Sequence, residues 1–424
     1  MSRVLFATIG SLGDLHPLIG IGLELQRRGH VVRFCTSETY RSRLESLGFG
    51  FDALRPDATP ENEAVAGLVR EIMDPKRGVE LLLRRWILPE LRATYDDLLK
   101  AVTGPPRIDL LLSGELVYPA ALIAEKTGVA WATCITTPMS FFSAHDPPIL
   151  PPVPVLSSFL RRFGPGLNGA LIRLVKFSTR HWGEPVQALR RELGLARGPN
   201  PIYEGKFSPS LVLAMFSAAL AAPQPDWPPN TVITGFPFYD GPTDGPALPS
   251  SLEEFLRGDE PPIVFTLGSS AVLDPGSFYG ESARAASLLR RRAVLLLGAN
   301  PPPANLSDGV ATAGYARFSE LFPRSAAVVH QGGVGTTGQA LRAGRPMLVM
   351  PFNFDQPDNA ARVARLGAGQ VIRRSEYRAN RVAGQLQQIL EATGYRECAQ
   401  RISQTVRKEN GAETACLAIE RLLR

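Results

Sequence analysis

With 424 residues, 44% of them hydrophobic and 20% charged, the chain has the composition of a folded globular protein with room for two domains of about 200 residues. Its net charge of +6, from 46 basic and 40 acidic residues, is mild. Clusters such as Arg161-Arg162 and Arg290-Arg291-Arg292 fit solvated helix faces, with attraction to an anionic membrane surface as the other reading, and neither a basic stripe nor stacked aromatics speak for nucleic acid.

The first 135 residues alternate strand and helix signals. Val4–Ile9 is a short apolar run ending at Gly10, followed by a helical pattern from Pro17 to Arg28 closed by Gly29. Val31–Thr36 reads as a strand and Glu38–Leu47 as a helix. Ile108–Leu112 and Ala130–Ile135 read as strands around a helix at Pro119–Lys126. Apolar strands alternating with helices predict a parallel sheet covered on both faces. Residues 137–205 break the rhythm with prolines, aromatics and an amphipathic stretch from Leu167 to Phe177. An insertion of this length in an α/β domain is more often functional than filler. A proline- and glycine-rich stretch, 226–262, reads as an interdomain linker between a first domain at 1–225 and a second at 263–395. The alternation then restarts with strands at Ile263–Leu267, Ala293–Leu297, Ala326–Val329, Pro346–Met350 and Gly369–Ile372. The remainder, 396–424, is helical with no following strand, which suggests a helix crossing back to the first domain. The predicted fold class is therefore α/β, with two Rossmann-like parallel-sheet domains facing across a cleft.

Cys35, Cys134, Cys398 and Cys416 have no metal-type spacing and read as reduced structural thiols. The opening apolar run is too short for a secretory signal, and no stretch reaches the 18 or so apolar residues of a membrane span. A cytoplasmic setting is expected.

The sharpest local signal lies at 326–359. A buried strand runs into His330-Gln331-Gly332-Gly333-Val334-Gly335-Thr336-Thr337, then a helix from Gly338 to Arg342 ending at Ala343-Gly344. Strand, glycine-rich turn and helix start suit an anion: the backbone approaches closely, and free N–H groups and the helix dipole face the charge. It is not a Walker loop, because no Gly-Lys-Ser/Thr follows. After the next strand comes the polar cluster Asn353, Asp355, Gln356, Asp358 and Asn359. Asp355 and Gln356 suit the reading of sugar hydroxyls; helix capping accounts for part of the set.

Taken together, HQGGVGTTGQALRAGRPMLVMPFNFDQPDNA resembles the donor motif of the family 1 nucleotide-sugar glycosyltransferases of two-domain GT-B fold. The opening GSLGDLHPLIGIGLELQRRGHVV resembles the bacterial and sterol-type branch, which includes lipid rhamnosyltransferases. The resemblance implies that His330 and the backbone of Gly332, Gly333, Val334 and Gly335 hold the diphosphate, with Thr336 on an oxygen. It further implies Asp355 and Gln356 on the sugar, Gly13, Ser269 and Ser270 near the phosphates, and Tyr315, with Phe318 beyond it, at the nucleobase. Counting back from Gly344, the family's ribose-binding glutamate aligns with Gln339. By the same count Gln331 occupies the usual histidine place and His330 lies one residue early, so the side chain that meets the phosphate is open. A uridine donor has two ribose hydroxyls to bridge and a thymidine donor one; UDP-glucose is the default expectation and dTDP-rhamnose the next. The nucleotide-sugar is a co-substrate, and neither a cofactor nor a metal is expected.

An inverting transfer must stabilise the leaving diphosphate and take a proton from the attacking hydroxyl. Oriented donors at a helix start serve the first need. For the second, Asp14 and His16 compete in the loop after the first strand. On ordinary pKa values His16 wins, but Pro17 fits a first helical position and makes His16 an N-cap candidate. The family's base falls on Asp14. Glu115, after another strand, is a candidate for orienting acceptor or base. Trp86, Phe141, Phe142 and Trp182 are candidates for an apolar acceptor wall, with core packing as the alternative for each. The expected acceptor is a phenol, sterol or lipid alcohol. Two rivals stand beside this reading: a sugar-nucleotide 2-epimerase, which leaves the insertion unexplained, and a non-catalytic nucleotide-sugar-binding partner subunit. The oligomeric state is not legible.

Overall fold

The computed structural model describes residues 1–57, 67–68, 71–241 and 248–424. Seven strands make the first sheet: β1 (Arg3–Ala7), β2 (Val31–Thr36), β3 (Gly50–Ala53), β4 (Leu110–Gly114), β5 (Ala130–Ile135), β6 (Val212–Ala214) and β7 (Thr231–Ile233). Their order is β3-β2-β1-β4-β5-β6-β7, and every pairing is parallel. The helices around it are α1 (Leu12–Arg27), α2 (Leu91–Thr103), α3 (Pro119–Thr127), α4 (Pro154–Leu160), α5 (Pro165–Ser178) and α6 (Glu184–Glu192). Alternate residues of β1 face opposite layers. Val4 and Phe6 pack with Leu15, Leu18 and Ile19 of α1. Leu5 and Ala7 pack with Tyr95 and Leu98 of α2 and Ile123 of α3. Burial on both faces explains why the strand is an unbroken apolar run.

The second sheet holds β8 (Ile263–Thr266), β9 (Ala293–Leu296), β10 (Val310–Ala313), β11 (Ala327–His330), β12 (Met347–Val349) and β13 (Gly369–Val371), in the order β10-β9-β8-β11-β12-β13, again all parallel. Its helices are α7 (Phe278–Leu288), α8 (Val334–Ala343), α9 (Gln356–Arg365), α10 (Ala379–Glu391), α11 (Thr393–Lys408) and α12 (Gly411–Leu422). The chain then returns to the first domain: Ala415, Cys416 and Ile419 of α12 sit in the core layer of β1 and α1. The two-domain parallel α/β class expected from the sequence is the class observed.

Several boundaries differ. The first helix begins at Leu12, not Pro17, because Ser11 caps it: its side chain accepts from the Gly13 N–H, and Asp14 at the third helical position accepts from the Ser11 N–H. Pro17 lies inside the helix and His16 is not a cap. The helix after β11 begins at Val334 rather than Gly338. The expected linker at 226–262 contains β7, which pairs with β6 in the first sheet; residues 242–247 of that linker lie outside the described residues. The insertion contains α4, α5 and α6. The four cysteines are free thiols. No helix among the described residues is long and apolar enough to cross a membrane.

Candidate active site

In open parallel sheets ligands bind beyond the carboxyl ends of the strands, at the point where strand order reverses. That point lies between β1 and β4 in the first sheet and between β8 and β11 in the second. The segments that follow these four strands carry Gly10–Asp14, Glu115, Gly268–Ser270 and Gln331–Gly333. The two switch points face one another: Ser269 Oγ donates to Ser11 Oγ across the cleft at 3.3 Å.

Asp14 is set by its capping duty. Its Oδ2 accepts from Ser11 N at 2.9 Å. Gly10 makes room for it, since at φ +145° a Cβ there would fall on the Asp14 carboxyl. Burial raises the Asp14 pKa to about 6, helped by the nearby negative charge of Glu115 and opposed by the bonds to Ser11. A carboxylate with its pKa near neutrality, in a cleft, suits proton abstraction. His16 is placed differently. Arg43 Nη1 lies 3.2 Å from its Nε2, and the ring lies edge-on to Tyr239. Burial and the Arg43 charge lower its pKa to about 4. An arginine has only donors, so the Nε2 lone pair is already engaged. Glu115 is also engaged, accepting from Ser140 Oγ at 2.6 Å and Lys206 Nζ at 2.7 Å. It acts on Asp14 as a neighbouring charge rather than as a free base.

On the opposite wall, α8 starts at Val334 with Gly333 as N-cap and no side-chain cap, so its first N–H groups are open to an anion. His330 is fully buried, and its Nδ1 accepts from the Gly332 N–H at 3.0 Å. Burial lowers its pKa to about 3, so the ring is neutral and braces the turn; its Nε2 has no partner. With Nδ1 accepting, the ring proton sits on Nε2, a donor left without a partner. The Gln331 amide lies between the two glycine turns, where a Cβ on Gly268 or Gly333 would strike it, and its Oε1 is unpartnered. Gly332 (φ +92°) lets the turn pass over Val349 and Gln356. Thr336 is buried in the first turn of α8.

Asp355 accepts from Asn359 Nδ2 at 2.6 Å, and the same amide donates to the Gly332 carbonyl at 2.9 Å. Asn359 thus ties the anion turn to the carboxylate beside it. Burial raises the Asp355 pKa to about 7, opposed by the Asn359 bond and reinforced by the charges of Asp14 and Glu115. The last two contributions place the carboxylates of both domains around one space. Gln356 Oε1 accepts from the Phe352 N–H at 2.9 Å, which leaves its amide hydrogens as donors.

Farther along, Gln339 Nε2 and Arg342 Nη1 both donate to Asp240, each at 2.8 Å. The Gln339 Oε1 is buried without a partner. Tyr315, 61% exposed, lies within electrostatic reach of Asp240 and Arg43. Phe318 stacks on Phe322, with centroids 4.4 Å apart, and packs against a hydrophobic core cluster.

The four aromatic candidates for an acceptor wall are not gathered together. Phe141 is core, stacked between Phe207 and Trp227. Trp182 packs against the β1–α2 layer. Phe142, at φ 48°, meets Tyr203 edge-on, and Trp86 is half-buried on Leu82–Ile87.

Sequence reasoning missed Asp240 and the partners of two residues of the polar cluster, Asn353 and Asp358. Asp240 comes from the proline-rich stretch. Asn353 reaches across to the first domain, donating to the Ile72 carbonyl at 2.7 Å and that of Asp74 at 3.0 Å. Asp358 belongs to a buried charge network joining the insertion to α9. Arg362 bonds Asp358 at 2.7 Å and also Asp146; Arg161 bonds Asp146; and the Ile149 N–H donates to Asp358 Oδ1 at 2.9 Å. Their motif neighbours gave a weak signal for Asn353 and Asp358, but nothing marked their partners.

A family model described as glycosyltransferase family 28 N-terminal domain matches residues 4–130. Another, described as erythromycin biosynthesis protein CIII-like, C-terminal domain, matches residues 293–417. The O-mycaminosyltylonolide 6-deoxyallosyltransferase of Streptomyces fradiae is 30% identical over 427 residues, covering 99% of this chain and 97% of its own. Among solved structures, the spinosyn forosaminyltransferase superposes with a TM-score of 0.72 at 18% identity, over 100% of this chain and 99% of that one. The glycosyltransferase VinC, solved with dTDP, gives 0.67 at 18% identity over 99% of each chain.

Proposed function

The chain belongs to the family 1 GT-B glycosyltransferases, and from that premise we propose a metal-independent, inverting transfer of a deoxyhexose from a thymidine diphosphate sugar to a hydroxyl of an apolar natural product. The observation that carries the mechanism is the mutual placement of Asp14 and Asp355. Burial raises the pKa of both carboxylates, and the Asp14 charge adds to the rise at Asp355 across the cleft, with an uncapped helix start on the Asp355 side.

In this reading the acceptor hydroxyl gives its proton to Asp14 while its oxygen attacks the anomeric carbon from the first-domain side. The bond from that carbon to the diphosphate oxygen breaks on the opposite side, which inverts the configuration. The departing charge meets the first N–H groups of α8 and the Thr336 hydroxyl; losing one such oriented donor costs about 3–4 kcal/mol of barrier. Asp355 and the Gln356 amide hold the sugar hydroxyls. Because Asp355 has a pKa of about 7, it accepts best when ionised.

The nucleoside assignment rests on Gln339. Each Asp240 oxygen already accepts one bond, from Gln339 or Arg342, and the Gln339 Oε1 is the buried acceptor with no partner. One acceptor suits the single free hydroxyl of a deoxyribose and leaves a ribose 2′-hydroxyl without a partner. The names of the relatives point the same way, one a 6-deoxyallosyltransferase and one solved with dTDP. On these grounds we rank a thymidine donor ahead of UDP-glucose. The test is kcat/KM for matched dTDP- and UDP-sugars with a macrolactone and sterol acceptor panel. A uridine preference of tenfold or more refutes the Gln339 argument, whereas failure of every donor refutes the transferase reading itself.

A further inference from the structure

We propose that the consecutive helices α4 and α5 form a docking surface for an anionic lipid bilayer. The exposed large apolar side chains of the molecule are concentrated there: Val155 (63%), Phe159 (53%), Leu174 (63%) and Phe177 (59%), with Val153, Leu156, Phe163 and Leu167 also exposed. Scattered exposed apolar residues are ordinary, but eight within 25 residues of chain single out this stretch as an interaction surface. The charge pattern says what kind. Residues 147–183 hold five of the chain's arginines and lysines and no aspartate or glutamate, so 37 residues carry nearly all of its net charge of +6. Arg161 is spent inside the network with Asp146 and Asp358, and Lys176 on Glu204. Arg162, Arg173 and Arg180 make no ion pair among the described residues; Arg180 instead lies over the Phe177 ring at 4.0 Å.

Aromatic and aliphatic side chains beside uncompensated cations match the headgroup–acyl boundary of a negatively charged leaflet. A second copy of this chain fits less well. A two-fold contact would set the same cations against each other with no carboxylate from these helices to answer them. The segment that leads into α4, and Arg161 after it, are anchored to the donor side of the cleft through Asp146 and Arg362 and through the Ile149 N–H on Asp358. Docking would therefore hold the insertion end of the cleft against the membrane. The inference concerns a surface and does not depend on which donor or acceptor is used.

The test is co-sedimentation of the full chain with neutral phosphatidylcholine vesicles and with vesicles about one-third phosphatidylglycerol, at about 0.1 M and 0.5 M salt. Two variants accompany the wild type, Phe159→Ser/Phe177→Ser and Arg162→Glu/Arg173→Glu. All four positions are exposed, so folding is preserved, and unchanged nucleotide titration confirms an intact donor site. The wild type is expected to bind the anionic vesicles at least about tenfold more strongly than the neutral ones, with salt weakening it and each variant losing about tenfold. Equal binding to both vesicle types, no binding, or binding unchanged in both variants overturns the proposal. So does an oligomer that the phenylalanine variant dissolves, which would assign the patch to a second copy or another protein surface.

Discussion

Replacing Arg362 with methionine probes the coupling between the two halves of the cleft. Arg362 is 2% exposed, and Asp358 is fully buried. The substitution fills much of the volume but removes both bonds to Asp358 and Asp146. Asp358 is then left with the Ile149 N–H and with Arg161 at 3.6 Å. Stripping one partner from a buried pair costs about 3–5 kcal/mol, mostly the penalty of the stranded charge. The expected result is that much loss of stability in the first transition of a urea titration at pH 7. Asp358→Leu/Arg362→Met should recover part of it, because no charge is stranded on α9. The sign with pH is also set. Burial pulls the Asp146 pKa upward, but Arg362 and Arg161 outweigh it and hold the carboxyl below its ordinary range. Its contribution is therefore present above the ordinary carboxylate pKa and is lost as pH falls toward the folded value. The difference between wild type and Arg362→Met should narrow in acid. Since α9 begins with Gln356 and follows Asp355, donor KM should rise in the variant. Wild-type stability with unchanged KM would refute the idea that this network positions the donor wall.

Gly10→Ala sets a Cβ on the Asp14 carboxyl and should lower kcat by about 10²-fold or more, with donor affinity unchanged by isothermal titration. The transfer rate should rise with pH through about 6, as Asp14 ionises, in a kcat profile with saturating donor. Because burial raises that pKa from 3.8, ionising Asp14 opposes folding. Stability is lost as pH rises through this interval, and Asp14→Asn should melt higher than wild type above pH 6. Gln339→Glu places a second carboxylate against Asp240 and should weaken dTDP binding rather than create a site for UDP, read by competitive titration of both nucleotides.

Much of this architecture was legible because buried parallel strands are long apolar runs. Val4–Ile9 and Ile263–Leu267 could be read from composition alone. β6 and β7 have three residues each, and β3 and β10 are only half-buried, so neither length nor apolarity marked them. The start of α1 was misplaced because Pro17 is a strong helix-start signal, while the Ser11–Asp14 capping box two turns earlier is weaker to the eye. The donor turn was readable as a local motif. The burial of His330 was not, since no spacing reveals it. Asp240, Asn353 and the Asp146–Arg362 pair join residues 99 to 281 positions apart, and one sequence carries no trace of such partnerships.

Acceptor-dependent nucleoside diphosphate release from dTDP- and UDP-sugar panels, for wild type and Asp14→Asn, distinguishes a transferase with Asp14 as base from a non-catalytic binder. Release from a dTDP-sugar should require acceptor and fall by about 10²–10⁴-fold in the variant while donor binding persists. Release that is undiminished in Asp14→Asn would remove Asp14 as the base, and no turnover with any donor despite nucleotide binding would favour a non-catalytic partner subunit.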